Sequence, residues 1–428
     1  MLKKLSFYGL FVWSLASLFF LYEFFLQVFL STISDQLMQS LNLDASEYSI
    51  MNAGYFLPYA IMQIPVGILV DRFGARRLLT IAISAAAVGV FWFSRTTTFE
   101  IGFISRFFMG FGSSFAYVSL LVLAMNWFPK KHFGLMVGLA NFLGATGPFL
   151  AGGPLVLLLK LFNNDWRLIL VCISILGVVL AICVGLFVRN GPGRKKGAVI
   201  HLDPYKEKLS VRMKLLIQNR QAWIIALFSA LVYVSLPLLG AYWGTSYLQA
   251  RGFSIAPAAT LSSFLWVGYA IGSPLTGKVS DQIKRRKPIL IFCSILGLLA
   301  TLLLLFLPTN QFIFLSFIFL MIGLASSGSS IAFATISEHV QASLRATSIG
   351  FNNSVVMIFA TILPPTVGFI IEIGAESSSH SYSVDNYENG LILMPVFYGI
   401  SLILSTLFVK ESFCRSQNEV IRLVPKKK

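Results

Sequence analysis

Two stretches, GILVDRFGARR at residues 67–77 and GKVSDQIKRRK at residues 277–287, show that this chain of 428 residues contains an internal repeat. The same kinds of residue return after 210 positions, in the pairs Gly67 and Gly277, Asp71 and Asp281, Arg76 and Arg286, and Arg77 and Lys287. Apolar sequence flanks both stretches. A repeat of this length predicts two halves that are built in the same way.

The composition is typical of an integral membrane protein. Hydrophobic residues make up 56% of the chain and charged residues only 12%, with a mean hydropathy of +0.79, whereas about a quarter of a soluble domain is charged. We therefore expect the lipid bilayer as a partner. The net charge of +16 would also suit a nucleic-acid-binding protein, but the basic residues follow the membrane topology, so we predict no nucleic-acid partner.

We predict twelve membrane-spanning helices, because a bilayer crossing needs about 20 apolar residues. The predicted spans are residues 6–33, 48–70, 77–95, 99–127, 133–161, 166–189, 221–248, 257–280, 288–308, 311–336, 345–372 and 389–410. The apolar run of the first span is too long for the core of a signal peptide, so we expect it to be retained.

The basic residues predict the orientation of these spans. With the N-terminus inside, 28 of the 33 Lys and Arg residues fall at inside loops and span edges, four fall outside, and Arg106 lies within a span. Inside loops of membrane proteins carry an excess of Lys and Arg. We therefore expect an even number of spans and a multi-pass membrane protein with both termini in the cytoplasm.

The predicted fold is an all-α membrane protein in which twelve helices form two six-helix halves related by a pseudo-twofold axis. Residues 1–189 form the first bundle and residues 221–410 the second. Residues 190–220 are a cytoplasmic linker and residues 411–428 a basic cytoplasmic tail. In such an architecture the substrate site lies between the halves, near the middle of the membrane.

Three motifs resemble signatures of the major facilitator superfamily. Residues 67–77 resemble its loop 2–3 motif, with the degenerate copy at residues 277–287, and RFFMGFG at residues 106–112 resembles its helix 4 motif. GATGPFLAGG, residues 144–153, is similar to the helix 5 Gly-Pro motif that is linked with antiporters; its marked positions are Gly144, Gly147, Pro148 and Gly152. Three residues separate Pro148 from Gly152 where two are usual, so we do not infer antiport.

The loop motif has a physical interpretation as a gate on the cytoplasmic side. Arginine side chains beside an aspartate at a helix end can hydrogen-bond the carboxylate or cap helix carbonyls, and glycine permits close approach and tight turns. The gate residues would be Gly67, Asp71, Arg72, Gly74, Arg76, Arg77, Gly277, Asp281 and Arg286. The cluster either latches one of two conformations, as in the resembled family, or only anchors the topology.

Two charges lie well inside the predicted spans: Glu23 among the acidic residues and Arg106 among the basic ones. An intramembrane charge costs at least about 2.5–3.5 kcal/mol, so it usually finds a partner or a function. Helices 1 and 4 are neighbours in the resembled family, which predicts that Glu23 and Arg106 interact. Glu23 either couples transport to a proton or a sodium ion, binds a substrate amine, or forms a permanent structural ion pair.

Other polar and aromatic residues of the spans are candidates for lining a substrate cavity. Gln27 is four residues after Glu23 and shares its helix face. The candidates are Tyr22, Gln27, Asn141, Tyr233, Trp266, Tyr269, Asn352 and Asn353. For the aromatic residues the alternative is packing, and for the amides it is hydrogen bonding to other helices.

The sequence contains no enzyme motif, metal-ligand pattern or ATP-binding loop, so it predicts a secondary transporter rather than an enzyme. An ion gradient, of protons in our interpretation, would replace any cofactor, and we expect a monomer. YEFFLQV, residues 22–28, resembles helix 1 of the phagosomal amino-acid and nucleoside transporters of intracellular bacteria, which implies a location in the bacterial inner membrane. The overall pattern is similar to anion–cation symporters and sugar-phosphate exchangers.

The predicted function is proton-coupled uptake of a small organic solute, such as an amino acid, a nucleoside or an organic anion. Organophosphate is disfavoured, because phosphate exchangers of the family use intramembrane arginines on helices 1 and 7. Helix 1 here offers Glu23 and Gln27, and helix 7 has no base beyond the boundary residue Arg220. Efflux of a drug or metabolite by proton antiport is the alternative within the class. A transporter-like membrane protein that senses a solute is the alternative from another class.

Overall fold

The computed structural model describes residues 7–128, 133–191, 209–307, 309–341, 344–373 and 382–414, and these ranges are helical without a β-strand. The long helices of the first half are α1 Phe7–Thr32, α2 Ala45–Phe73, α3 Ala75–Ser94, α4 Phe99–Trp127, α5 Phe133–Ala151 continued by Gly153–Leu161, and α6 Trp166–Phe187. Those of the second half are α7 Arg220–Ala250, α8 Ile255–Ile283, α9 Lys287–Phe306, α10 Phe312–Glu338, α11 Arg345–Ile373 and α12 Val384–Phe408.

Ten of these helices are long and apolar enough to cross a membrane, and the bent pair within α5 raises the number to eleven in the described ranges. Each of the eleven coincides with a predicted span. The remaining predicted span, 48–70, is occupied by α2, a helix of 29 residues that lies outside that count. The all-α class is confirmed, and the number of twelve spans stays a prediction.

Polar caps explain why two helices begin before their apolar runs. The Asp44 side chain accepts a hydrogen bond from the backbone N–H of Glu47, and the Glu47 carboxylate accepts one from Asp44 in return. Ser383 and Asn386 form the same reciprocal cap before α12. A capping box satisfies N–H groups that a helix leaves free, so α2 and α12 start several residues earlier than hydropathy predicts.

The packing of the helices shows the two predicted halves and their pseudo-twofold relation. In the first half α3 packs on α4 and α6, and in the second half α9 packs equivalently on α10 and α12. Across the boundary α2 lies along α11, and its symmetry-related counterpart, α8, lies along α5. The boundary between the halves therefore contains two helix pairs, α2 with α11 and α8 with α5, which the repeat predicts to be equivalent.

The start of α1 and the end of α12 lie at one membrane face, which we call the terminal face. Tyr8 donates a hydrogen bond to the carbonyl of Phe187 at the end of α6. Gln221, near the start of α7, donates to the carbonyl of Phe408 at the end of α12, with 3.0 Å between the atoms. The other side of the bundle, where α1 and α7 end, is called the opposite face.

Candidate functional site

The first helix of each half departs from α-helical geometry at an equivalent place. The last turn of α1, Phe29–Thr32, is a 3₁₀-helix, and the segment Leu238–Trp243 of α7 is a π-helix. The two irregular segments meet at the boundary, where the Ser31 hydroxyl donates to the Gly240 carbonyl over 3.1 Å. Irregular turns of this kind leave backbone groups available for other partners.

Glu23 lies in the middle of α1 and is 1% exposed. The Tyr55 hydroxyl of α2 lies 3.2 Å from Glu23 Oε1 and 3.1 Å from the Glu23 carbonyl oxygen. Glu23 Oε2 has no hydrogen-bond partner among the described residues. One carboxylate oxygen is thus held by a tyrosine, and the other is buried and free to bind a proton or another donor.

Arg106 of α4 is fully buried and donates hydrogen bonds to two oxygen acceptors. Its Nη1 donates to the Leu26 carbonyl and its Nη2 to Asn52 Oδ1, each over 2.6 Å. The guanidinium lies over the ring of Tyr55, with 4.6 Å between Cζ and the ring centroid. A cation in this position is attracted by the negative face of the ring.

The predicted direct pair between Glu23 and Arg106 is not formed, since no ion pair joins them in the described ranges. Tyr55 stacks on the guanidinium with its ring and donates to the carboxylate with its hydroxyl. The two charges are therefore close neighbours that Tyr55 connects. The interpretation of Glu23 as a permanent ion-pair partner has no contact to support it.

Asn52 carries this network across the boundary between the halves. Its Oδ1 accepts from Arg106, and its Nδ2 donates to the Ala241 carbonyl in the π-helical segment of α7, over 2.8 Å. A chain of two hydrogen bonds therefore links the buried cation of the first half to the backbone of the second. Movement of one half against the other must break or rearrange the bond to Ala241.

The polar face of α2 was not among the sequence predictions. This face consists of Tyr48, Asn52, Tyr55, Tyr59 and Gln63, which recur at intervals of three or four residues. Such spacing places side chains on one side of a helix. The same periodicity that marks Glu23 and Gln27 on α1 identifies this face once uncharged side chains are included.

Four of the predicted cavity residues lie at or near the boundary between the halves. Gln27 is 3% exposed and lies beside Tyr233 of α7. The Tyr233 ring is 6.2 Å from the ring of Tyr269, and the Trp266 ring is 5.7 Å from Phe24 of α1. The Tyr269 hydroxyl also lies 3.3 Å from Ser330 Oγ.

The amides of α11 have different surroundings. Asn353 Nδ2 donates to Gln63 Oε1 over 2.6 Å, which is a further hydrogen bond between the halves. Asn352 donates to Ser229 within the second half, over 3.1 Å. The Asn141 side chain lies outside the described part of the chain, and so does the side chain of Asp71.

Tyr22 does not point to the boundary, which corrects its prediction as a cavity residue. Its hydroxyl donates to the Ile173 carbonyl of α6 over 3.2 Å and lies against Gly177. One residue along a helix corresponds to a rotation of about 100°. Tyr22 therefore packs inside the first half while Glu23 faces Tyr55.

The Gly-Pro motif of α5 allows close helix packing. A Cβ at Gly147 would stand 2.3 Å from the Leu21 carbonyl oxygen, and a Cβ at Gly144 would stand 2.6 Å from the Phe20 ring. Gly152 similarly approaches Ser263 of α8. The helix bends by 45° between Phe142–Ala151 and Gly153–Leu161, shortly after the buried Pro148, so the motif brings α5 against both α1 and α8.

The two copies of the loop motif hold helix ends by different contacts. In the first copy the Arg76 side chain donates to the Gly185 carbonyl near the end of α6 over 2.9 Å, and Gly74 takes φ +82° at the predicted turn. Arg72 and Arg77 are exposed.

In the second copy Arg286 forms ion pairs with Asp281 at 2.6 Å and with Glu338 at 2.8 Å. A Cβ added at Gly67 or at Gly277 would meet no described atom within 4 Å. The carbonyl cap and the Asp–Arg contact are among the interactions predicted for the motif. Its role as a latch stays a prediction.

The opposite face is sealed by contacts between the halves. Ser34 Oγ lies 2.7 Å from Ser246 Oγ, which in turn lies 3.1 Å from Asp35 Oδ1. Burial raises the pKa of the Asp35 carboxyl, while hydrogen bonds from the two serines lower it in part. Tyr48 and Tyr387 are the titratable neighbours of this carboxylate.

Comparison with known proteins finds a family model and several relatives that match this chain. The family model described as Major Facilitator Superfamily matches residues 15–365. A hexuronate transporter of Bacillus subtilis is 25% identical over 270 residues, which cover 60% of this chain and 61% of that protein. The cis,cis-muconate transport protein of Acinetobacter baylyi is 24% identical over 385 residues, covering 86% of this chain and 87% of that protein.

Among solved structures, a bacterial homologue of the human lysosomal transporter Spinster, in an inward-facing and occupied conformation, superposes with a TM-score of 0.75. The two chains are 15% identical, and the match covers 94% of this chain and 96% of the other. At 15% identity, this similarity shows that the two chains share a fold and nothing more. The chain spans between 61% and 63% of the length of several curated relatives.

Proposed function

This chain belongs to the Major Facilitator Superfamily, and from that premise we propose that it is a secondary active transporter of a small organic solute. The solute would cross the membrane by alternating access, in which the halves rock about a central site. The two curated relatives compared above are named as transporters, one of hexuronate and the other of cis,cis-muconate. Amino acids and nucleosides are further candidate solutes.

The observation that carries the proposal is the buried Glu23 carboxylate beside a cation that it does not contact. Tyr55 holds one oxygen of Glu23, and the second has no partner among the described residues. Burying an ionised carboxylate without a paired cation is costly. Glu23 is therefore suited to carry a proton while the site is closed and to release it when water enters.

Arg106 and Asn52 relate this proton to the movement of the halves. Arg106 lies on the Tyr55 ring and bonds Asn52, whose other amide bond reaches Ala241 in the second half. A change in the protonation of Glu23 alters its hydrogen bond with Tyr55. Through Tyr55 and Arg106 it then affects Asn52, whose bond to Ala241 joins the two halves. This is a physical route by which protonation can bias one conformation.

We further propose a bacterial inner-membrane location with both termini in the cytoplasm, a monomeric state and uptake driven by a proton gradient. The distribution of basic residues supports the orientation. The terminal face would then be cytoplasmic. The sealed serine cluster at Ser34 and Ser246 would lie at the outer end of the transport path.

The test is uptake of a panel of radiolabelled solutes into proteoliposomes, with and without a proton gradient. Glu23→Gln should abolish proton-driven accumulation and retain exchange of solute across the membrane. Glu100→Gln, which alters an exposed carboxylate in the first turn of α4, is the control and should behave like the wild type.

Other outcomes contradict parts of the proposal. Loss of all solute binding in Glu23→Gln would indicate direct substrate contact. Unchanged transport with a lower unfolding temperature would indicate a structural role. Accumulation only in the inverted orientation would indicate efflux, and binding without flux would indicate a sensor.

A further inference from the structure

Four buried hydrogen-bond donors without acceptors lie in one region, on the side of the site nearer the opposite face. They are Arg106 Nε, the hydroxyl groups of Tyr48 and Tyr242, and Trp243 Nε1, all in side chains that are 0% exposed. None of the four has a partner among the described residues. Buried polar groups in proteins are nearly always hydrogen-bonded, so four unpaired donors together require an explanation.

The donors come from both halves, and the side chains that carry them pack on each other or on the same helix of the first half. The Tyr48 ring of α2 is 5.1 Å from the Trp243 ring of α7. Tyr242 lies next to Trp243 in the π-helical segment and packs on Phe56 of α2, with 5.9 Å between the ring centroids. Both tyrosines are close enough to Arg106 to interact with its charge.

The positive charge of Arg106 has no carboxylate partner among the described residues of this region. Glu23 is separated from it by Tyr55. Asp35, the carboxylate near Tyr48, already accepts hydrogen bonds from Ser34 and Ser246. A buried cation without a counter-charge is costly, and an anion placed among the four donors would satisfy both the charge and the hydrogen bonds.

We propose that these four donors bind the carboxylate group of the transported solute. A carboxylate offers two oxygens with about four lone-pair sites, which matches the number of donors. The inference rests on the proposed transport function and adds the chemical class of the solute, an organic anion with a carboxylate. It also adds three residues that were not predicted from the sequence, Tyr48, Tyr242 and Trp243.

The division of the donors between the halves gives the site a mechanical role. Tyr48 and Arg106 belong to the first half, and Tyr242 and Trp243 belong to the second. A carboxylate held by both groups draws the halves together at the opposite face. A proton that enters on Glu23 together with one carboxylate leaves the net charge of the site unchanged, because the positive charge of the proton and the negative charge of the solute cancel.

The experiment measures binding to the full-length protein in nanodiscs by titration calorimetry. The probes are glucuronate, a hexuronate, and cis,cis-muconate, with glucose as the neutral counterpart of glucuronate. Tyr48→Phe and Tyr242→Phe each remove one hydroxyl and keep the ring. Tyr22→Phe is the matched control, because its hydroxyl bonds to Ile173 inside the first half.

At least one carboxylate should bind the wild-type protein, and glucose should not. Tyr48→Phe and Tyr242→Phe should each weaken carboxylate binding about 10- to 100-fold, as expected for loss of a hydrogen bond to a charged group. Tyr22→Phe should bind as the wild type does. Thermal unfolding without ligand should be unchanged in the first two variants, because neither hydroxyl has a partner to lose among the described residues.

Several results would overturn the inference. One such result is that glucose binds as tightly as glucuronate. Another is that neither carboxylate binds, whether or not chloride does. A third is that both variants bind the carboxylate as tightly as the wild type does. Transport measured in parallel separates the two proposals. If the wild type transports a neutral solute, only the carboxylate site is wrong, whereas absence of any flux contradicts the proposed function itself.

Discussion

Removal of the Asn52 side chain should open the opposite face of the protein. In the sealed conformation Asn52→Ala leaves two buried groups without partners, the Nη2 group of Arg106 and the Ala241 carbonyl. A buried group that loses its partner costs about 1–3 kcal/mol, and more when it is charged. When the opposite face opens, water can hydrate both groups, so the cost falls mainly on the sealed state.

The expected shift is therefore at least about 2 kcal/mol in favour of the open state, or a change of about 30-fold in the ratio of the two conformations. The distance between spin labels at two exposed positions of the opposite face, Ser40 in the first half and Gln311 in the second, measures this ratio. Pulsed electron paramagnetic resonance of the protein in nanodiscs should show a longer distance gaining population in Asn52→Ala.

Asn353→Ala is the matched control. It removes a hydrogen bond of 2.6 Å to Gln63, which also joins the halves but lies nearer the terminal face. This variant should leave the opposite face sealed. Unchanged distances in Asn52→Ala, or equal opening in both variants, would refute the reasoning that the Arg106–Asn52–Ala241 chain holds that face closed.

Three further predictions concern the same helices. Tyr55→Phe removes the hydroxyl that donates to Glu23, which should destabilise the ionised carboxylate by about 1.5–3 kcal/mol. Proton-driven uptake should then fall about tenfold while solute exchange in proteoliposomes persists. Uptake at the wild-type rate would contradict this prediction. Gly147→Ala places a Cβ 2.3 Å from a carbonyl oxygen of α1, which should cost about 1–3 kcal/mol of stability and lower the unfolding temperature. A Cβ at Gly67 would meet no described atom within 4 Å, so the control variant Gly67→Ala should not lower the unfolding temperature. Burial raises the pKa of Asp35 in the sealed state, so the sealed state binds a proton more tightly than the open state does. The sealed state should therefore gain population as the pH falls and lose population as the pH rises. Asp35→Asn should remove this pH dependence from the spin-label distances, and a pH dependence that persists in the variant would exclude Asp35 as its source.

The two charged residues of the site could be predicted from the sequence, but the contacts between them could not. Glu23 and Arg106 stand out because a charge in an apolar span is costly and rare. Tyr55 and Asn52 are uncharged, and periodicity marks them as members of a polar face of α2 without indicating their partners. Their importance depends on which residues face them from α1, α4 and α7, and no local pattern contains that information.

The difference between Tyr22 and Glu23 shows the same limit at one helix. The two residues are adjacent, and the sequence predicts a place at the cavity for both. The rotation of α1 directs Tyr22 toward α6 and Glu23 toward α2. Helix periodicity gives the angle between two side chains, whereas the packing of the whole bundle decides which neighbour each one meets.

The sequence by itself determined that the chain is an all-helical membrane protein of two similar halves, with buried charges at Glu23 and Arg106. These properties follow from local composition, because the bilayer requires long apolar helices and makes each charge costly. Only the tertiary structure decided that Tyr55 stands between the two charges and that Asn52 connects Arg106 to the second half. Those contacts depend on how the helices of both halves rotate and cross, so residues far apart in the chain become partners through packing alone.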